Sequence, residues 1–258
     1  MDLDLDGRVV IVTGGSDGLG LAAARGLAAE GARVAVCGRD ATRLEQAAAT
    51  LAEVSDDALA VPCDVTEPTE LTALVDRVVA RWGRVDGLMN NAGRATAMPF
   101  EEIDDQTLLD DLTLKVFASM RLSRLVAPLL REHQGAIVNS LSIFARVPGP
   151  RSLPSAASRA AGLAITKSLA FELAPDGVRA NAILVGFVDS GQWTRAAAEA
   201  GRTYDEHVRE LAAAAQIPMG RFGKAEDFAD LAAFLLSPRA GYLTGTAINL
   251  DGGLSPVA

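Results

Sequence analysis

Short apolar runs alternate along the chain with longer stretches rich in alanine and leucine. The run at positions 9–12 has no polar member, which is typical of strands buried on both faces of a parallel sheet. The pattern predicts strands at 9–13, 33–37, 58–62, 87–90, 136–140, 179–184 and 247–250. It predicts helices near 18–30, 40–54, 67–82, 104–132, 154–174 and 224–237. The alternation indicates an α/β fold: a doubly wound parallel sheet of about seven strands with helices on both faces.

Nothing in the composition divides the chain. Its 258 residues are 49% hydrophobic, enough for one large core, and no repeat or low-complexity linker interrupts the pattern. We therefore predict a single domain over 1–258. The segment 190–217 is rich in alanine and charge and follows a strand at the edge where parallel sheets bind ligands. It is predicted to be a substrate lid, although a surface helical pair with no gating role fits the same pattern.

Charge and cysteine content narrow the functional classes. The net charge of −9 argues against a nucleic-acid partner, which would need a basic patch. Cys37 and Cys63 are too few for a disulfide framework and are expected to be buried thiols at the ends of neighbouring strands. No apolar run is long enough to cross a membrane, and the acidic amino terminus lacks the pattern of a signal peptide. These features predict a cytoplasmic protein that binds neither membranes nor nucleic acid.

A glycine-rich turn joins the first predicted strand to the first predicted helix. It reads Thr13-Gly14-Gly15-Ser16-Asp17-Gly18-Leu19-Gly20. Glycines let the backbone turn tightly and approach a diphosphate, and the N–H groups and positive dipole at the start of the helix attract the anion. Because the glycines lie between a strand and a helix, the turn predicts a dinucleotide site.

The spacing Gly14-x-x-x-Gly18-x-Gly20 resembles that of the short-chain dehydrogenase/reductase family. Further matches follow in order over essentially the whole chain: Asp64-Val65, Asn90-Asn91-Ala92-Gly93, Gly220-Arg221-Phe222-Gly223, Thr244-Gly245 and Asp251-Gly252-Gly253. The resemblance implies a single Rossmann-type domain that binds a nicotinamide dinucleotide and a small-molecule substrate. It also implies a homotetramer or homodimer, because in that family the helices near 104–132 and 154–174 form the four-helix dimer contact.

The resemblance implies cofactor contacts from residues distributed along the chain. They are Gly14, Ser16, Asp17, Gly18, Leu19, Gly20, Arg39, Asp64, Val65, Asn91, Ala92, Gly93, Arg159, Gly186, Val188 and Ser190. Members specific for NAD usually carry an acid at the place of Gly38, where it bonds the ribose 2′-hydroxyl. Gly38 lacks that acid and Arg39 suits a 2′-phosphate, although the carboxylate of Asp17 would repel one. NADP(H) is therefore favoured over NAD(H).

The chain departs from the family at the catalytic positions. The family's serine corresponds to Ser142, while its tyrosine and lysine correspond to Ser155 and Arg159. An asparagine in the long helix before that strand corresponds to Thr113. Of the family's catalytic set, only Ser142 is retained.

This departure bears on proton transfer. Carbonyl reduction needs a hydride and a proton, and a phenol beside an ammonium can be tuned to supply the proton near neutral pH. A serine hydroxyl is a weaker acid and shorter, and arginine keeps its proton. Ser155 and Arg159, four residues apart on one helix face, are therefore expected to hold an anion or hydroxyl rather than to deliver a proton.

Other side chains near the same sheet edge offer alternatives. Tyr204 lies in the predicted lid beside Asp205 and His207, and a closing lid could bring one of them over the nicotinamide. More commonly, residues in such a segment are simply exposed on the lid and take no part in catalysis. Four arginines could bind an anionic substrate or simply be solvated at the rim: Arg94, Arg146, Arg151 and Arg159.

Three classes of function remain open. The preferred class is an NAD(P)(H) oxidoreductase acting on a small apolar carbonyl, alcohol or conjugated alkene, with a proton from Ser142, a water molecule or the lid. The second is a non-redox cyclase, isomerase or lyase in which Ser142 and Arg159 polarise an oxygen. The third is a catalytically silent binding or regulatory subunit. No metal site is expected in any of them.

Overall fold

The structure is a computed structural model that describes residues 2–257, so the two end residues of the predicted domain lie outside it. The strands are β1 (Val9–Thr13), β2 (Arg33–Gly38), β3 (Ala58–Pro62), β4 (Gly87–Asn90), β5 (Ala136–Ser142), β6 (Arg179–Val185) and β7 (Ala247–Leu250). The α-helices are α1 (Gly18–Ala29), α2 (Ala41–Ala52), α3 (Pro68–Trp82), α4 (Asp105–Leu112), α5 (Ala118–His133), α6 (Ser155–Leu173), α7 (Gly191–Glu199), α8 (Tyr204–Ala214) and α9 (Ala225–Leu236).

All seven strands are parallel and form one sheet in the order β3-β2-β1-β4-β5-β6-β7. The predicted fold class is therefore confirmed. The order reverses between β1 and β4, and the crevice at the carboxyl ends of such strands is where open α/β sheets bind ligands. The ends of β1, β4, β5 and β6 meet at this edge, so the loops that follow them build the site.

Two apolar cores cover the two faces of the sheet. Ile11 of β1 packs on one face against a core that includes Leu74 of α3 and Leu122 of α5. Its neighbour Val12 points to the opposite face, where the core includes Phe228 of α9. Adjacent residues of β1 are thus buried on opposite sides, which explains why the strand reads as an unbroken apolar run.

The helix predicted at 104–132 is not continuous, and this correction matters for the site. A π-helical turn, Thr113–Phe117, separates α4 from α5. Such turns accommodate one extra residue in a helix and are frequent at functional sites. Lys115 lies within the turn with its side chain buried, only 3% exposed. Helical periodicity alone does not reveal such a turn, because the apolar pattern continues through it.

A chain of buried amides and hydroxyls attaches α6 to the middle of the sheet. The side-chain amide of Asn90 donates to Asn139 Oδ1 at 2.9 Å, and the amide of Asn139 donates to the Thr166 hydroxyl at 2.8 Å. Buried polar groups that are fully paired in this way favour a single packing arrangement. The helix that carries Ser155 and Arg159 is therefore held in place by the ends of β4 and β5.

The two cysteines and the predicted lid lie in opposite parts of the chain. Cys37 and Cys63 are both free and buried, as predicted. The predicted lid contains α7 and α8, which pack over an aromatic cluster of Phe187, Trp193 and Phe222 with ring centroids 5.2 to 5.5 Å apart. Between residues 2 and 257, no helix is long and apolar enough to cross a membrane.

Candidate active site

The carboxyl ends of β1 and β4 are joined by hydrogen bonds at the point where the strand order reverses. The buried hydroxyl of Thr13 accepts the backbone N–H groups of Asn91 at 2.9 Å and Ala92 at 3.0 Å. The side chain of Asn91 in turn donates to the carbonyl oxygens of Thr13 at 3.1 Å and Gly14 at 3.3 Å. These bonds hold the glycine-rich turn in position at the edge of the sheet.

The glycines of this turn are required by close approach as well as by conformation. Gly14 has a φ of +63°, and a Cβ there would lie 2.9 Å from Ala92 Cα. A Cβ on Gly20 would lie 2.2 Å from the carbonyl oxygen of Gly14. The turn therefore presents backbone without side chains at the start of α1, where helix N–H groups attract anions. These residues fit the diphosphate of a dinucleotide.

At the end of β2, the side chains suit a cofactor that carries a 2′-phosphate. A Cβ on Gly38 would lie 2.6 Å from Ser16 Oγ, so an acidic residue at this position would require Ser16 to move. The guanidinium of Arg39 is 68% exposed and lies 3.5 Å from Asp64. Arg39 is thus positioned by Asp64 and open to a ligand.

The carboxylate of Asp17 does not stand alone beside this site. It lies 3.8 Å from Arg43 and 3.5 Å from Arg195 of α7, and it accepts the N–H of Gly18 at 2.7 Å. Two arginines and a backbone N–H offset its negative charge. The repulsion of a 2′-phosphate that the sequence led us to expect from Asp17 is correspondingly reduced.

The remaining predicted cofactor residues lie along the same edge. Val65 follows β3 and is buried, Leu19 lies in the first turn of α1, and Gly93 follows Ala92. After β6, Val188 pairs with Gly223, and Ser190 immediately precedes α7. Gly186 is in close contact with Asp251, since a Cβ on this glycine would lie 2.7 Å from Asp251 Cβ.

A lysine from the π-helical turn reaches Ser155, the residue that the resemblance aligns with the family's tyrosine. Lys115 Nζ donates to Ser155 Oγ at 2.6 Å and to Asp111 Oδ1 at 2.6 Å. Its side chain is buried, as is that of Asp111. Ser155, at the start of α6, is thus hydrogen-bonded to a buried ammonium group.

Asp111 holds this lysine and is itself fully engaged. Its Oδ1 also accepts the hydroxyl of Thr96 at 3.0 Å, and its Oδ2 accepts the hydroxyl of Ser158 at 2.6 Å. Three segments of the chain therefore converge on this carboxylate of α4: the π-helical turn, the loop after β4 and α6. Asp111 fixes the position of the Lys115 ammonium.

Arg159 places a second cation next to the hydrogen-bonded cluster of Lys115, Ser155 and Asp111. Its guanidinium donates to the carbonyl oxygen of Ser140 in β5. A Cβ on Gly93 would lie 3.2 Å from Arg159 Nη2 and 3.8 Å from Lys115 Cε, so both cationic side chains border this glycine.

The surroundings of Lys115 make it a better acid than an ordinary lysine. Burial lowers the pKa of Lys115 to about 8, and the charges of Arg159 and Arg94 act in the same direction, against the opposing effect of Asp111. An amine with a pKa near 8 is protonated at neutral pH and gives up its proton readily, which is the requirement for general acid catalysis.

Comparisons with known proteins identify the family of the chain. Residues 14–255 match the family model described as "Enoyl-(Acyl carrier protein) reductase". The chain belongs to the short-chain dehydrogenase/reductase family. Among curated relatives, it is 37% identical to 3β-hydroxysteroid dehydrogenase 1 of Eggerthella lenta, over 98% of this chain and 95% of that protein.

Two solved structures of the family are especially similar. One is L-sorbose reductase from Gluconobacter frateurii in complex with NADPH and L-sorbose: TM-score 0.96, 33% identity and full coverage of both chains. The other is an NADPH-bound short-chain oxidoreductase from Pseudomonas aeruginosa PAO1, described as containing an atypical catalytic center. It has a TM-score of 0.93 and 38% identity, over 98% of this chain and 99% of that one.

The two other residues predicted from the family's catalytic set lie apart from this hydrogen-bonded cluster. Ser142 Oγ, at the end of β5, accepts the N–H of Phe144 at 3.3 Å. Thr113 is the first residue of the π-helical turn. Within residues 2–257, neither side chain forms a hydrogen bond with Ser155, Lys115 or Arg159.

The lid tyrosine is poorly suited to replace the family's tyrosine. Burial raises the pKa of Tyr204 above its usual value, and a hydrogen bond from its hydroxyl to Asp189 raises it further. A phenol that holds its proton this firmly is a weak proton donor near neutral pH.

Sequence reasoning missed Lys115 and Asp111, together with their partners Thr96 and Ser158. A signal for the first two is present: an acid and a base lie four residues apart in a helical stretch that also carries the apolar residues Leu112, Leu114, Val116 and Phe117. Such a pair can form an ion pair on one helix face. Its burial and its contact with Ser155 depend on packing between distant segments.

The buried ion pair predicts a specific pattern of stability. Lys115→Met leaves the Asp111 carboxylate buried without its cation and is expected to lower the free energy of unfolding by about 3–5 kcal/mol. Combining it with Asp111→Asn should recover most of that loss, because no charge then remains buried. Urea denaturation of the variants measures this, with the exposed Lys224→Met as the control. A loss in Lys115→Met no larger than in Lys224→Met would contradict the assignment.

Proposed function

We propose that this protein is an NADPH-dependent oxidoreductase that interconverts a carbonyl compound and an alcohol, with Lys115 and Ser155 together replacing the family's tyrosine as the proton donor. The 2.6 Å hydrogen bond from Lys115 Nζ to Ser155 Oγ carries this proposal. It supplies a tunable acid at a position where the sequence alone shows only a serine. The NADPH-bound structures of two close relatives support the choice of cofactor.

The hydrogen bonds around Ser155 define a direction for the proton. Ser155 Oγ accepts from Lys115 at 2.6 Å and from the backbone N–H of Thr96 at 3.4 Å. With both acceptor positions of its oxygen engaged, its own O–H is left to donate toward a substrate oxygen. In reduction, Ser155 gives its proton to the substrate oxygen and takes one from Lys115, which becomes neutral. Oxidation runs the same transfers in reverse.

Coupling the two groups removes the objection to serine as a donor. An isolated serine would have to form a high-energy alkoxide, whereas here the proton lost by the hydroxyl is replaced by Lys115 in the same transfer. The acidity is that of the ammonium, and the hydroxyl passes the proton on. Asp111 acts as a positioning residue because it holds Lys115 against Ser155.

Arg159 supplies a permanent positive charge and hydrogen-bond donors beside this pair. We propose that it binds the nicotinamide ribose, as the family's lysine does. When bound, the nicotinamide would supply or take up the hydride. Gly14, Gly18 and Gly20 would hold the diphosphate, and Arg39 a 2′-phosphate.

A small cavity next to Lys115 offers a route for restoring its proton. It has a volume of about 20 Å³, and its polar lining includes Ser119, Asn90, Asn139 and Lys115 itself. That is enough space for about one water molecule, and the lining provides hydrogen-bond partners. We propose that a water in this cavity reprotonates Lys115 after each reduction.

The lid and the outer helices complete the proposal. We propose that the segment 190–217 covers a small substrate, with Trp193 anchored by a 2.9 Å hydrogen bond from its indole N–H to the carbonyl oxygen of Val188.

We also propose that the protein forms a homodimer or homotetramer in a cytoplasmic setting. Exposed apolar side chains on the π-helical turn, α5 and α6 support the assembly: Phe117, Met120 and Phe171.

Cofactor preference can be measured by thermal unfolding with NADPH or NADH at matched concentrations. A ligand at about 100 times its Kd adds about 2.7 kcal/mol to the free energy of unfolding. NADPH is expected to stabilise more, and Arg39→Ala should reduce the NADPH effect while leaving that of NADH. The distant Arg25→Ala serves as the charge control. Equal stabilisation by both nucleotides, unchanged in Arg39→Ala, would refute the preference.

The pH dependence of turnover tests the proton donor. Reduction requires protonated Lys115, so its kcat should fall as pH rises through about 8, while the rate of oxidation should rise over the same range. Lys115→Arg keeps the positive charge, but a guanidinium holds its proton too firmly to act as the acid. It should lower kcat by about 10²–10⁴-fold, the usual contribution of general acid catalysis.

Variants at position 155 provide the matched control. Ser155→Thr keeps a hydroxyl and should retain most activity, whereas Ser155→Ala should lose activity to about the same extent as Lys115→Arg. An active Lys115→Arg variant with the pH profile of the parent protein is the result that the proposal cannot accommodate.

A further inference from the structure

We propose that the substrate carries a carboxylate in addition to its reacting carbonyl or hydroxyl group, and that Arg94 binds it. The substrates would then be oxo acids and hydroxy acids. This inference rests on the proposed function, since it names the substrate class of the same site.

The loop that carries Arg94 is fixed to the catalytic cluster on both sides. On one side, Gly93 borders both Arg159 and Lys115. On the other, Thr96 donates its hydroxyl to Asp111 and its backbone N–H to Ser155. Arg94 thus lies between two residues that touch the reacting groups, and its position is set by theirs.

The charge around the site is unbalanced. Lys115 is a buried cation and Arg159 a half-buried one, Arg94 adds a third nearby, and the positive charge of Arg94 acts on the pKa of Lys115. The one carboxylate of the cluster, Asp111, already accepts hydrogen bonds from a lysine and two hydroxyls. A substrate anion would supply the missing negative charge.

Arg94 is available for that anion. It is exposed and, within the part of the chain that the structure describes, forms no ion pair or side-chain hydrogen bond. Arg43 and Arg195, at the nucleotide end of the same edge, are by contrast both paired with Asp17. A guanidinium without a partner beside an excess of positive charge is a suitable anchor for an anion.

The other arginines near this edge are less suitable. Arg146 donates to the carbonyl oxygen of Ala247 at 3.2 Å and lies 3.5 Å from Asn249 Oδ1, so it fastens β7. Arg159 is half-buried and engaged with Ser140. Of Arg94, Arg146 and Arg159, Arg94 therefore has the clearest claim. A carboxylate is the favoured group because its two oxygens match the planar fork of a guanidinium.

The first test compares acids with their neutral counterparts as substrates. Reduction of 2-, 3- and 4-oxopentanoate by NADPH is measured beside reduction of the three methyl esters. At least one acid should have a higher kcat/KM than its ester, and Arg94→Gln should lower that kcat/KM by about 10- to 100-fold without affecting the esters. Arg131→Gln, an equal change of charge at the carboxyl end of α5, is the control and should leave all six values unchanged.

A second measurement does not depend on turnover. Calorimetric titration of glutarate into the NADPH-saturated protein should show binding that Arg94→Gln weakens by at least tenfold, with dimethyl glutarate as the neutral control. Binding of glutarate without turnover of any carbonyl compound would sustain the anion site and reject the redox function. Turnover of esters as fast as acids, indifferent to Arg94→Gln, would reject the anion site and sustain the redox function. Absence of both turnover and glutarate binding would reject both.

Discussion

The buried ion pair between Lys115 and Asp111 is the interaction on which the rest of the site depends. A buried ammonium is costly unless it is paired and hydrogen-bonded, and here it is bonded to Asp111 and Ser155, each at 2.6 Å. Asp111 comes from the helix before the π turn and Ser155 from α6, while Thr96 in the loop after β4 donates to Asp111. The buried ammonium beside Ser155 therefore exists only when the sheet, its loops and these helices are assembled together.

The proposed mechanism meets the chemical requirement of the family's reductases with different side chains. A reductase of this type needs an acid that is tuned to neutral pH and a fixed cation beside the nicotinamide ribose. In the mechanism that we propose, the tunable group is Lys115 from the π-helical turn, and Arg159 on α6 supplies the permanent charge. Burial and a nearby guanidinium bring the pKa of Lys115 to about 8, which an exposed lysine would not reach. The fold is thus conventional while the proton chemistry is local to this site.

The sequence allowed much of the fold and part of the site to be predicted. Unbroken apolar runs such as that in β1 identified the strands, and glycines between a strand and a helix identified the dinucleotide turn. The departure at Ser155 and Arg159 was also visible. From it we expected Ser155 and Arg159 to hold an anion or hydroxyl rather than to deliver a proton. The contact of Lys115 with Ser155 was not foreseen, because Lys115 lies within a helical pattern. Its role depends on a π turn and on contacts with Asp111, which periodicity cannot show.

The most direct test of this account is the pKa of Lys115 itself. The chain has only three lysines, Lys115, Lys167 and Lys224, so NMR of protein labelled with ¹³C at lysine Cε gives a spectrum that can be assigned by substitution. The account predicts one resonance that titrates near pH 8 and is absent from Lys115→Arg. A spectrum in which no lysine resonance titrates near pH 8 would contradict it.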